Sequence, residues 1–229
     1  MTKRRQVWLV AGVATLALSS FFLAVMRPPG GQASRLGQDL PWQIVHSPDG
    51  ATISVFGLTL GQSTLWDAVN KLGRRYEFGL FQDKTDQLSL ETYFRDAVVG
   101  GLNARLVILA HLPDARLQAM RSRSSASKPS AVGGRRYPVA ETDQEFALSA
   151  TIAAITFMPV AKFDADLVRA RFGEPTERIA AKEGVHWLYP QSGLDLLLSE
   201  NGEALLQYVP PADFAERLRA PLIDQNPSL

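Results

Sequence analysis

Residues 88–95 read Leu-Ser-Leu-Glu-Thr-Tyr-Phe-Arg, so that Leu88, Leu90, Thr92 and Phe94 alternate with Ser89, Glu91, Tyr93 and Arg95. Side chains of a strand point to opposite faces in turn, so this pattern predicts a sheet strand with one face buried. Strand candidates flank it at 76–81 and 104–109, and Gly100-Gly101 marks the hairpin between the last two. Upstream, Thr59 with Gln62 fits a capping box; Leu65, Ala68, Val69 and Leu72 make one apolar helical face, and Gly73 ends it. Residues 42–46 and 51–56 read as strands around the turn Ser47-Pro48-Asp49-Gly50, and Pro113 opens a short helix to Arg121. The spacing thus predicts helix, three-stranded meander, helix.

A similar order recurs further on. Thr142 with Glu145 fits a capping box for a helix whose apolar run, 147–158, is too short to cross a membrane and passes into a strand near Ile155. Asp164 caps a helix carrying Leu167, Val168, Ala170 and Phe172, which Gly173 and Pro175 end. Strand candidates follow at 185–189, 194–199 and 204–209, with Glu200-Asn201-Gly202-Glu203 as a hairpin turn and a closing helix at 213–218. Gly73 and Gly173, Ala104 and Ala204, Pro113 and Pro211 fall at matching places, about 100 residues apart. The fold class this predicts is α+β: an N-terminal transmembrane helix followed by two tandem units of helix plus three-stranded antiparallel meander. The alternative is one α+β domain whose meanders look alike.

The boundaries that follow are a cytoplasmic tail at 1–6, a membrane anchor at 7–26, a Pro- and Gly-rich tether at 27–41, a first unit at 42–122, a flexible linker at 123–137, a second unit at 138–220 and a tail at 221–229. The anchor reads VWLVAGVATLALSSFFLAVM, 20 residues without a charge, the length of helix a bilayer's hydrocarbon core requires. It runs into Met26-Arg27-Pro28-Pro29 rather than a small-residue cleavage site, which predicts a retained anchor; the one cleavage candidate is Gly31-Gln32-Ala33. Lys3, Arg4 and Arg5 precede it and only Arg27 directly follows, so the positive-inside rule puts the N-terminus in the cytoplasm and the rest in the bacterial periplasm.

Apolar residues are 46% and charged residues 21% of the chain, ordinary for a protein with a packed core. After residue 35 there are 19 basic and 23 acidic residues, a net of −4, which argues against nucleic acid as a partner. Cysteine is absent, which removes disulfides, thiol nucleophiles and lipid attachment at cysteine.

Signals for catalysis are sparse. None of the three histidines, His46, His111 and His186, accompanies a Gly-x-Ser-x-Gly elbow or a His-Glu-x-x-His pair, and each reads as structural or surface. Gly133-Gly134-Arg135-Arg136 lacks the flanking strand and helix of a phosphate loop. No catalytic, cofactor-binding or metal-ligating residue is expected, and no cofactor. Paired carboxylates are the open alternative: Glu174 and Glu177 flank Pro175, and Asp195 sits in an apolar strand, pointing outward by alternation while Leu194, Leu196 and Leu198 face in. Trp187, Tyr189 and Tyr208, on neighbouring strands, are the candidate protein-binding residues, with Trp187 and Tyr208 favoured as core.

Across 163–209 the helix, Arg171-Phe172-Gly173-Glu174-Pro175, then His186-Trp187-Leu188-Tyr189-Pro190 and a Gly-containing hairpin resemble the small periplasmic lipoproteins of the outer-membrane assembly machinery (SmpA/OmlA type). More faintly, 57–109 does too. The chain departs from that family in lacking the lipid-bearing cysteine, in its membrane helix and in its duplication. Tandem copies of such a fold also look like the secreted inhibitors that clasp β-lactamases. Both resemblances imply a protein-binding surface without catalysis. The expectation is a membrane-anchored periplasmic interaction or scaffold module with an envelope protein as partner; the alternatives are a cell-wall or polysaccharide hydrolase using paired carboxylates, and small-ligand or lipid binding. Oligomeric state is not readable from the sequence.

Overall fold

A computed structural model describes residues 39–130 and 133–225. The predicted anchor, 7–26, lies outside them. Among the described residues no helix is long and apolar enough to cross a membrane.

Three short strands come first: β1 (Val45–His46), β2 (Ile53–Val55) and β3 (Leu58–Thr59) form a small antiparallel sheet. Phe56 (φ 56°) and Gly57 (φ 68°) join β2 to β3, both in the left-handed region that a two-residue hairpin turn demands. Left-handed backbone costs a phenylalanine about 1–2 kcal/mol. Full burial of its ring, 4.9 Å from Phe157 and edge-on to Tyr208 at 5.6 Å, returns about 1.5–3 kcal/mol, so the turn holds.

Helix α1 (Leu65–Leu72) is capped by Thr64, whose hydroxyl accepts from Asp67 N–H while Asp67 accepts from Thr64 N–H, and Gly73 closes it at φ 105°. The capping box is thus five residues downstream of the predicted one at Thr59. Strands β4 (Tyr76–Gln82), β5 (Leu88–Val99) and β6 (Leu102–His111) make the first meander, with the alternation of 88–95 as predicted: Leu88, Leu90, Thr92 and Phe94 are buried. Then come α2 (Asp114–Arg123), β7 (Lys128–Pro129), β8 (Arg135–Tyr137), α3 (Glu141–Leu148) and β9 (Thr151–Pro159). Helix α4 (Ala165–Phe172), capped by Asp164 accepting from Leu167 N–H at 2.7 Å, precedes β10 (Glu177–Ala181), β11 (Gly184–Tyr189), β12 (Leu194–Leu198) and β13 (Ala204–Tyr208). A 3-10 turn, a π-helical turn at Ala215–Arg219 and α5 (Ala220–Gln225) close the described chain.

The two-unit reading is overturned by the way these strands pair. They form one ten-stranded sheet in the order β10-β11-β12-β13-β9-β6-β5-β4-β8-β7, antiparallel throughout. β9 is the joint: Phe157 lies opposite both Leu206 of β13 and Leu106 of β6, so the two expected meanders share it as a common neighbour. Its apolar run is buried on both faces, which is why the sequence shows no alternation there. The segment 123–137 supplies α2's last residue and β7 and β8, which extend the sheet beyond β4. One hydrophobic cluster runs from Ile53 to Tyr208, so there is no separate core for either half.

The small sheet and α1, α2, α3 and α4 supply side chains to that cluster on the sheet's inner face. On the outer face Phe214, Leu218 and Leu222 of the C-terminal helices pack on Ile179, Leu188 and Val209.

Candidate binding groove

At β4 the sheet is only partly covered. β8 pairs with it through Tyr137 opposite Leu80, Arg136 opposite Phe81 and Arg135 opposite Gln82, then stops. The next residue, Pro138, holds φ at about −65° instead of the about −140° of an antiparallel strand, and the chain turns off the sheet. Residues 76–79 of β4 are thereby left with β5 on one side and, among the described residues, no strand on the other.

Which backbone groups face that opening follows from alternation. Asp83 N–H turns inward to Gln87 C=O at the β4–β5 hairpin, so the even-numbered residues of β4 direct N–H and C=O away from β5. The open edge therefore presents the amide groups of Tyr76 and Phe78. Arg136 Nη2 donates weakly to Phe78 C=O at 3.4 Å, as a side chain from the β8 side would if that carbonyl points outward.

Beside this edge lies a groove of about 690 Å³, within the usual size of ligand clefts. Its apolar walls are Trp66, Val69, Tyr76, Phe78 and Val139. α1 turns Leu65, Ala68 and Val69 into the core and leaves Trp66 off that face, 50% exposed. Tyr76 and Phe78 lie edge to face at 5.1 Å and are half-buried. The charged lining is Arg74, Lys128, Arg136 and Glu77. Arg136 lies 3.4 Å from Glu77, whereas Arg74 and Lys128 have no carboxylate in salt-bridge range among the described residues.

The outer face behind β4 carries Glu91, opposite Gly79 and Leu109. Burial pushes its carboxyl up to about 7, an effect that nearby Arg136 reduces. Gly79 leaves room there for its neighbours: a Cβ would sit 2.6 Å from the Phe81 ring and 2.8 Å from Arg136 Nε, so both side chains would have to shift.

The sequence-expected site residues fall elsewhere. Trp187, Tyr189 and Tyr208 face the core, at 4%, 7% and 0% exposure, so none stands on an open sheet surface. Arg178 stacks over Trp187 at 4.1 Å, Tyr189 donates to Gly173 C=O at 3.0 Å, and Tyr208 donates to Pro41 C=O at 2.9 Å. Asp195 does face away from Leu194, Leu196 and Leu198, but C-terminal helices and neighbouring strands make that face interior too, and it is 1% exposed. Both its oxygens lie 2.9 Å from His186 Nδ1. An aspartate-oriented histidine is two-thirds of a hydrolytic triad, yet no hydroxyl bonds to this ring among the described residues. The carboxylates do not converge. Glu177 lies two strands from Asp195, about 10 Å by sheet spacing, with Leu188 between them. Arg219 holds Glu177 through Nε at 2.6 Å and Nη2 at 3.2 Å, and Arg178 holds Glu174 at 2.8 Å. His46 and His111 are exposed at strand ends, and among the described residues no three His, Asp or Glu cluster as metal ligands would.

Sequence reasoning missed the groove because Ala126, Lys128 and Arg136 of its lining come from the segment read as a linker, and Pro138 and Val139 from just beyond it. The available signal was Gly133-Gly134 between Lys128-Pro129 and Arg135-Tyr137, a glycine turn between two very short strands.

Fold and groove define a helix-flanked antiparallel sheet in which, among the described residues, an uncovered stretch of strand edge at 76–79 of β4 borders a cleft. No protein-family model matches the chain, and neither a curated protein nor a solved structure matches it.

Proposed function

We propose that the protein is a non-catalytic interaction module of the bacterial envelope, anchored in the inner membrane by residues 7–26, and that it engages a partner protein at the β4 groove. The observation that carries this reading is the coincidence, among the described residues, of a strand edge at Tyr76 and Phe78 with no neighbouring strand, an aromatic-walled cleft, and two cations without a carboxylate partner. Exposed strand edges are ordinarily paired, covered or guarded, because they template association. The placement in the envelope rests on the uncharged stretch and its flanking positive charges.

The test is site-specific photo-crosslinking in intact cells. A photoreactive residue at Trp66 or Val139 is expected to give one discrete adduct, while the same residue at Val160, exposed and away from the groove, gives none. Equal labelling from all three positions, or no adduct from the groove, contradicts the reading. Protease added to spheroplasts should degrade the part after the anchor; protection of that part would remove the periplasmic placement.

A further inference from the structure

Taking the groove as the interaction site, we propose that its occupant is an acidic, extended segment of a partner protein that adds to the sheet as a strand along residues 76–79 of β4. Three observations converge on this chemistry. The edge presents backbone donors and acceptors at Tyr76 and Phe78, two residues apart, the repeat at which a strand presents its own amides, and the Arg136 side chain that reaches Phe78 C=O at 3.4 Å is the group an added strand would displace. A side-chain-only ligand makes no use of that spacing; an added strand does, and this is how strand-addition domains obtain affinity without a fixed sequence.

The second observation is the wall opposite the edge. Pro138 and Val139 leave the sheet instead of pairing with Gly79 and Phe78, so the space that β8 would have filled is the groove itself. A chain entering there lies in line with β8 and meets Trp66 and Val139 with its apolar side chains, which sets a preference for aromatic or aliphatic residues at alternate positions.

Charge supplies the third. Arg74 and Lys128 line the groove without carboxylate partners among the described residues, and Arg136 reaches Glu77 and Phe78 C=O only at 3.4 Å each. Glutamate or aspartate between the apolar positions of the incoming strand would pair with them, whereas a basic segment would be repelled. Residues 27–38 of the chain itself carry Arg27 and Arg35 and no acid, so they lack this complementarity.

Fluorescence polarisation with the full-length protein in detergent tests this. The probe is a short fluorescein-labelled peptide alternating glutamate with valine and phenylalanine. Four companions complete the set: the peptide with lysine for glutamate, two versions N-methylated at alternate residues in opposite registers, and a peptide of residues 27–38. The acidic peptide is expected to bind, one N-methylated register to abolish binding and the other to retain it, and the lysine and 27–38 peptides to bind at least about tenfold more weakly. The pair Arg74→Glu with Lys128→Glu, both on exposed residues, should weaken the acidic peptide by at least about tenfold with an unchanged melting curve. Equal binding of both N-methylated peptides overturns strand addition, and equal binding of the lysine or the 27–38 peptide overturns the acidic preference. If the acidic peptide fails to bind while groove crosslinks persist in cells, the strand proposal falls and the interaction site stands; if both fail, the site falls too.

Discussion

The two ends of the ten-stranded sheet are built on opposite terms. At the β10 end, Glu177 is gripped by Arg219, and Arg178 lies over Trp187 and bonds Glu174, so the charges of the edge strand are paired with their neighbours. The outer face there is sealed by the C-terminal helices, and even the buried acid Asp195 has its histidine. At the β4 end, β8 covers only 80–82, Trp66 is half exposed, and Arg74 and Lys128 have no acidic partner among the described residues. Within one continuous sheet, the charged side chains of the β10 edge strand are satisfied internally, whereas those left over beside β4 are the basis of the proposed interaction site.

Deletion of the shared core is the harshest way to test whether the two ends belong to one body. Phe157→Ala removes the ring that contacts Phe56 and sits between Leu106 and Leu206, at an expected cost of about 3–5 kcal/mol. Hydrogen exchange should show β5 and β12 losing protection together; loosening of β12 alone would restore two independent units.

Glu91 gives a pH test confined to the β4 end. Its folded-state carboxyl is raised from 4.5 to about 7, so the native protein holds the proton more tightly than the unfolded chain. The resulting stability is complete below about pH 4.5, falls as pH rises through about 7, and is absent above. Solvent still reaches the half-buried side chain, so the fall is on the order of 1–3 kcal/mol. Glu91→Gln, which stays neutral, should flatten this part of the profile in chemical denaturation and be more stable than the parent at pH 8. An unchanged slope between pH 4.5 and 7 would contradict the assignment.

Arg123 sharpens the question of what its segment does. It grips the buried Asp143 carboxylate through Nε at 3.0 Å and Nη2 at 2.6 Å, tying α2 to α3. Arg123→Ala leaves that carboxylate unpaired and should cost about 1–3 kcal/mol, measured by urea denaturation. A free linker would show no change. The smallest stability effect belongs to Trp66→Ala, within about 0.5 kcal/mol at a half-exposed site, with peptide binding nonetheless reduced.

How much of this was legible in the sequence depends on the residue in question. The alternation of 88–95, Asp164 as a cap and the glycine ends at Gly73 and Gly173 are local signals, and each corresponds to an observed element. β9 was not legible as the joint of the sheet, because a strand buried on both faces has no period, and strand pairing between distant segments leaves no mark in either one. Asp195 was placed on the correct face, but its burial depends on the C-terminal helices packing over that side. The groove was hidden for a similar reason: β8 is three residues long, and its consequence is set by where Pro138 ends it against a strand more than 50 residues earlier.

Residue-resolved amide exchange along β4 addresses the open edge itself. In the unliganded protein, Tyr76 and Phe78 amides should exchange much faster than Leu80, which faces Tyr137 of β8, and the acidic peptide should slow Tyr76 and Phe78 selectively. Protection of Tyr76 and Phe78 equal to that of Leu80 before any ligand is added would mean the edge is already occupied, and the account of the groove would be wrong.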